Sequence, residues 1–287
     1  MKILVLADLH LDEILDRDSF IRLGEAIKLV GQDTDAMIIA GDLTEHAASK
    51  WPRAIRWLGS HYPVSKTVIL PGNHDYYGGN LSTLDGELDA ICRDAGCVFG
   101  QCRSLVLGDV RVLMTTLWTD MRLFSAEGEL AVENALWHAR QMMPDYEPAV
   151  GSDGIVIGEP GRALQPEDTV SVHEKQKAWL LAELGRPWAG KTVVVTHHSP
   201  SATVAEPVTP LTPCFASDLD AEIERFRPDV WLFGHTHRPA DLRMPGGTLL
   251  RNVSVGYEFE LRDVDLDARV RQGLIDLSSD TAMAADR

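Results

Sequence analysis

Basic residues are in short supply. The 287-residue chain carries 27 Lys and Arg against 43 Asp and Glu, a formal net charge of -16. Such a chain repels a phosphate backbone at long range, so a nucleic-acid groove is disfavoured, and so is binding to an anionic membrane surface. Cysteine is scarcer still: Cys92, Cys97, Cys102 and Cys214. Their spacing matches no zinc signature, and the expectation is reduced thiols in a cytosolic protein. No apolar run approaches the roughly 20 residues that span a bilayer. The opening "MKILVLADLH" is interrupted by Asp8 and lacks a small-residue cleavage site, so it reads as a first strand rather than a signal peptide. A soluble, cytoplasmic protein is expected. Apolar residues make up 45% of the chain, enough for a sizeable core.

What the chain does have is a recurring theme: short apolar runs that end in chemically capable residues. These are "KILVLADLH" (2–10), "DAMIIAGDL" (35–43), "KTVILPGNHD" (66–75), "KTVVVTHHSP" (191–200) and "DVWLFGHTH" (229–237). Near-continuous Val, Ile and Leu is the pattern of strands buried on both faces. Amphipathic helical patterns over 19–30, 49–58 and 82–95 alternate with the first three, the last with Ser82 as a plausible N-cap, so a layered α/β architecture follows. Residues 103–118 read as a hairpin turning at Gly108-Asp109. Residues 119–172 break the rhythm with a helical stretch and Pro- and Gly-containing sequence. They are too short and loop-rich for a core of their own, so they read as a cap-like insertion into a single domain spanning 1–287. A helix from Glu174 to Leu184, another near 217–225, a closing hairpin at 247–266 and a frayed tail at 278–287 complete the reading.

Sites in such sheets form beyond the carboxyl ends of the strands. Collected there are Asp8 and His10 as D-x-H, Asp42 in "GDL", Asn73 and His74 in "GNHD", the pair His197 and His198, and His235 and His237 as H-x-H. Any one of these is weak: a single H-x-H serves one metal, two metals or none. Five in this order, each closing an apolar strand and expected along one edge of one sheet, point to metal binding. Carboxylate, amide oxygen and imidazole without thiolate suit Mn, Fe, Zn or Co. A shared carboxylate with further ligands on each side would hold two such divalent ions, as in two-metal phosphatases. His74 beside the ions, with the adjacent Asp75 carboxylate, suits general-acid work. His173 is expected to cap a helix or lie at the surface.

Together D-x-H, G-D, G-N-H-D, a histidine after a hydrophobic strand and G-H-T-H resemble the calcineurin-like metallophosphoesterases, with motifs running from residue 8 to residue 237. The resemblance implies a four-layer α/β/β/α sandwich and a dinuclear centre. Asp8, His10 and His237 would serve the first ion, Asn73, His197 and His235 the second, and Asp42 would bridge. His74 would contact the phosphate or protonate the leaving oxygen, with Asp75 orienting it. His197, as the first histidine after its strand, is taken as the ligand, which leaves His198 to support it or face substrate. Arg122 and Arg162 in the insertion are candidates to grip a phosphate. The implied activity is attack of a metal-bound hydroxide on a phosphomonoester or phosphodiester, with a small molecule or nucleotide as the favoured substrate. A protein phosphatase is the alternative, since the insertion is expected to narrow access. Relatives that serve as metal-free scaffolds have eroded motifs, and here every ligand position holds a suitable donor.

Overall fold

A computed structural model describes residues 1–14, 16–146, 154–205, 208–262 and 264–278. In chain order the strands are β1 (Lys2–Leu6), β2 (Ala36–Ala40), β3 (Thr67–Leu70), β4 (Val98–Phe99), β5 (Arg103–Leu107), β6 (Val110–Thr115), β7 (Val156–Ile157), β8 (Arg162–Ala163), β9 (Lys191–Thr196), β10 (Val230–Phe233), β11 (Asp241–Arg243), β12 (Leu249–Asn252) and β13 (Leu274–Asp276). The helices are α1 (Arg17–Gly31), α2 (Ala47–Gly59), α3 (Leu84–Ala95), α4 (Glu129–Met142), α5 (Pro166–Leu184), α6 (Thr212–Phe215), α7 (Asp220–Phe226), α8 (Glu258–Leu261) and α9 (Leu266–Arg271).

Two large sheets carry the fold. One has the order β13-β1-β2-β3-β4, the other β11-β12-β10-β9-β6-β5. The strands that lead into the motifs run parallel to one another within each sheet. Side chains alternate across a strand, and each face has its own core. Ile3, Val5, Ile38, Val68, Val112, Val193 and Leu232 fill the space between the sheets. Leu4, Leu6, Ile39 and Ile69 point the other way, against Ile27 of α1, Trp51 of α2 and Leu88 of α3. Val194 and Trp231 pack outward on Leu180 and Leu184 of α5 and Ile223 of α7. The result is the expected α/β/β/α sandwich, and it explains the unbroken apolar runs: with both faces covered, no position of a strand is polar by default. The expected convergence on one edge of one sheet is corrected. β1, β2 and β3 bring their motifs from the first sheet, and β9 and β10 bring theirs from the second.

Three local expectations also change. The helix expected from Glu174 starts at Pro166, because Gln165 and Asp168 form a capping box and Pro166 occupies the first turn. The irregular stretch after β6 therefore ends near 165. Ser82 does not cap α3; Thr83 stands at that position, and the Ser82 hydroxyl accepts from the Gly158 N–H instead. The closing hairpin at 247–266 is not formed. β12 pairs with β10 and with β11, and a Tyr257/Glu260 capping box turns the following residues into α8. All but Ser278 of the expected frayed tail lies outside the described residues. Among the described residues no helix is long and apolar enough to cross a membrane.

Candidate metal centre and active site

The loops after β1, β2, β3, β9 and β10 meet where the two sheets face each other. Their backbones interlock: Asp8 N donates to Gly41 O, His10 N to Asp42 O, and Gly234 N to His197 O, at 2.9–3.0 Å. Asp8, His10, Asp42, His235 and His237 all have positive φ, between 40° and 66°. Asp and His tolerate this region better than most residues, yet each such backbone costs on the order of 1–3 kcal/mol. Their gathering in one place marks a functional loop cluster rather than five accidental turns. Gly72 and Gly234 are there for room. A Cβ on Gly72 would stand 2.2 Å from Asp42 Oδ1, and one on Gly234 would stand 2.4 Å from Ala7 Cβ and 2.6 Å from Asp8 Oδ2.

Two donor clusters result. One joins Asp8, His10 and His237, the other Asp42, His197 and His235, and within each the ligand atoms lie within 4.8 Å of one another. Asn73 joins the second, with Oδ1 3.0 Å from His197 Nε2. Asp42 lies between the two: its Oδ2 is 3.9 Å from His10 Nε2 and 3.4 Å from His197 Nε2, while its Oδ1 accepts from His74 N. The imidazoles are aimed. His237 Nδ1 donates to Glu260 Oε2 at 2.7 Å and His197 Nδ1 to the Ala40 carbonyl at 3.0 Å, so in the neutral rings each Nε2 presents a lone pair inward. Those lone pairs meet other acceptors: His10 Nε2 to His237 Nε2 at 3.3 Å, and His235 Nδ1 to His197 Nε2 at 3.2 Å. Donors about 2.1 Å from a shared divalent ion stand about 3.0–3.4 Å apart, so these spacings fit two ions. The burial of His235 Nε2 without a protein partner leaves Nδ1 as that ring's inward donor.

Charge supports the same fit. Burial works to raise the Asp8 and Asp42 carboxyls, but the neighbouring His237 and His197 hold both below the usual range. Burial works to lower His197 and His237, but Asp42 and Asp8 respectively raise each to about 9.

His74 lines the cavity over these clusters, with Tyr77, Asp145, Phe215, Arg238 and Tyr257 among its other walls; the cavity holds about 470 Å³. The expected orientation of His74 by Asp75 is corrected. Asp75 is fully buried and accepts from the backbone N–H of Asp42 (2.8 Å), Thr44 (3.1 Å) and Gly72 (2.8 Å) and from Trp51 Nε1 (2.8 Å). Its oxygens are occupied in lacing two motif loops to α2. His74 Nδ1 instead faces Glu45 Oε1 at 3.4 Å, and its Nε2 lies 3.5 Å from the Tyr257 hydroxyl. Burial works to lower His74, but Asp42, Glu45 and Asp145 outweigh it and raise the ring to about 10.

The three expected substrate contacts are not brought to this cavity. His198 is buried behind His235, ring centroids 4.3 Å apart, and burial together with His197 lowers it to about 3. Arg162 forms a two-pronged pair with Asp168, at 2.7 and 2.6 Å, on the exposed start of α5. Arg122 is exposed, and its backbone N–H closes a turn onto Asp120. His173 is buried rather than at the surface and bonds the Trp118 carbonyl. Sequence reasoning missed Glu45, Glu260 and Asp145. Glu45 follows three residues after Asp42, and the "YEFE" capping box contained Glu260; both signals were readable. Asp145 had none.

The family model for calcineurin-like phosphoesterases matches residues 1–239. The chain belongs to the calcineurin-like phosphoesterase family. The stretch that bears the family pattern contains both donor clusters. Among curated relatives, an uncharacterized metallophosphoesterase of Helicobacter pylori is 31% identical over 88 residues, 30% of this chain and 23% of that protein. A Danio rerio transmembrane protein with a metallophosphoesterase domain is 31% identical over 82 residues, 28% of this chain and 18% of that protein. The matched stretch thus spans less than a quarter of these relatives' length. The phosphopantetheinyl hydrolase of Mycobacterium tuberculosis superposes with a TM-score of 0.67 at 17% identity, covering 99% of this chain and 98% of that one. That likeness shows that the two proteins share a fold over nearly their whole lengths.

Proposed function

We propose that this protein hydrolyses phosphoesters of small molecules or nucleotides at a dinuclear metal centre. The observation that carries the reading is the pair of donor clusters sharing Asp42 beneath a cavity of about 470 Å³, a volume suited to a ligand of nucleotide size. Asp8, His10 and His237 would hold one ion, Asn73, His197 and His235 the other, and Asp42 both. Bound there, two divalent ions supply Lewis acidity: they lower the pKa of a water and neutralise phosphoryl oxygens.

The chain's own side chains complete the reaction. With Nδ1 turned to Glu45, His74 holds its transferable proton on Nε2, on the cavity side. Water oxygen forms the new bond to phosphorus, the ester P–O bond breaks, and Nε2 delivers its proton to the departing oxygen. Glu45 keeps the ring oriented and charged until that transfer. Tyr257, with its ring stacked 4.2 Å from His10, closes one side of the cleft. Met143, Pro144 and Asp145 also line it, and a bounded cavity of this kind favours a small substrate over a protein surface. A cytoplasmic location accords with four unpaired thiols.

The test is Asp42→Asn, assayed on p-nitrophenyl phosphate and its bis-ester alongside metal analysis of the purified protein. Turnover should fall at least 10²-fold, with loss of bound metal. A variant that retains full activity on both esters sinks the proposal.

A further inference from the structure

We infer that Asp145 is a positioning residue that sets the orientation of the Asn73 carboxamide and thereby completes the second metal site. The inference rests on the dinuclear reading above.

A carboxamide offers oxygen on one side and NH₂ on the other, and only the oxygen binds a cation. Nothing intrinsic to Asn73 chooses between the two orientations. Its Oδ1 lies 3.0 Å from His197 Nε2, and its Nδ2 donates to Asp145 Oδ1 at 2.8 Å. A carboxylate only accepts, so it fixes the NH₂ on its own side and turns Oδ1 toward the donor cluster. Both residues are 2% exposed, so water does not compete for the bond. Asp145 is buried, which raises its carboxyl, while the nearby His74 cation works to lower it.

Asp145 also has a distinct origin. Every other group in the two clusters follows a strand of one of the large sheets, whereas Asp145 sits just after α4 in the insertion. That helix is anchored by buried Ala135 and Ala139, and Tyr146 is tied through its hydroxyl to Thr169 of α5 at 2.9 Å. The insertion therefore supplies more than a wall: it reaches in and orients one ligand.

The experiment titrates Mn²⁺ into the chelator-stripped 287-residue protein by calorimetry, with melting temperatures of the stripped forms as a folding control. Asp145→Ala and the similarly branched but larger Asp145→Leu remove the acceptor; Asp145→Asn keeps an oxygen that can accept. We expect the first two to weaken the second ion by about 10–100-fold while the first ion binds as in wild type. Asp145→Asn should stay within about threefold of wild type at both sites, a smaller loss than the removal of such a partner causes. Wild-type affinity for both ions in Asp145→Ala or Asp145→Leu overturns the inference. So does an Asp145→Asn loss equal to that of Asp145→Leu, which would assign the effect to charge. Wild-type protein that takes up no second ion would instead remove the dinuclear reading.

Discussion

Around the cavity, His74 is held at the edge of hydrogen-bond range on both sides, 3.4 Å to Glu45 and 3.5 Å to Tyr257. An unliganded catalytic contact of this kind tightens when substrate and ions add their charge. His74→Asn should leave both ions bound and lower kcat by about 10²–10⁴-fold on an ester with a poor leaving group. The loss should be smaller on p-nitrophenyl phosphate, whose leaving oxygen hardly needs a proton. Equal losses on the two substrates, read from kcat with metal content held equal, would show that His74 does not supply that proton. Two neighbours of the same chemical type play different parts here. Asp75 is next to His74 in the chain, whereas Glu45 is 29 residues away, and adjacency favoured Asp75. Distance in space selected Glu45, because the loop after β2 carries it across to the ring.

Among elements, α2 is locked to the motif loops by Asp75. One carboxylate accepts from the loop after β2, the loop after β3 and the Trp51 indole of the helix. Burial and the nearby Asp42 push this carboxyl up, to about 7, while the converging N–H groups favour its ionised form. Replacing it leaves several buried donors unsatisfied at once. Asp75→Ala should therefore destabilise the fold by about 3–5 kcal/mol, read as a lower urea midpoint at unchanged slope. Its measured activity, where the protein remains folded, should fall through lost metal rather than through a changed leaving-group dependence. A full-strength fold in Asp75→Ala would contradict this lacing. The insertion acts at the same scale. Its Val156 is tied to the loop after β3 by Leu81 N to Val156 O and Val156 N to Gly79 O, at 2.8 and 3.0 Å.

For the molecule as a whole, the two sheets are joined at their working edge by a cluster of anionic oxygens and imidazoles that protons or cations must neutralise. In stripped protein, His197 and His237 are raised to about 9. A raised histidine contributes stability that is complete below its unfolded pKa, near 6.5, and is lost as pH rises through about 9. With ions bound the same rings are neutral ligands, and this alkaline loss disappears. Chelation should thus lower the melting temperature by a margin that widens from pH 6.5 to pH 9. Scanning calorimetry with and without chelator checks it, and a margin that is constant or shrinks with pH contradicts the coupling. Ions present at 100 times their dissociation constant add about 2.7 kcal/mol for each independent site.

Much of this protein is legible one segment at a time. Val, Ile and Leu in runs such as "VVVT" and "VWLF" dictate strands covered on both faces, and the polar residues that end them are confined to the carboxyl edge. That periodicity and order are local properties, so the α/β layering, the donor set and the family resemblance all follow from the linear chain. Pairings between distant residues are not local. Which sheet each strand joins, the meeting of Glu45 with His74 and of Glu260 with His237, and the burial of His198 behind His235 depend on how layers stack. Arg162 shows the same limit from the other side: its charge suited a phosphate, but Asp168, six residues on, claims it at the start of α5. Asp145 marks the far end of that divide. It lies in a segment with no strand rhythm and no motif, and only the folding of the insertion across the cleft brings its carboxylate against Asn73, 72 residues away along the chain.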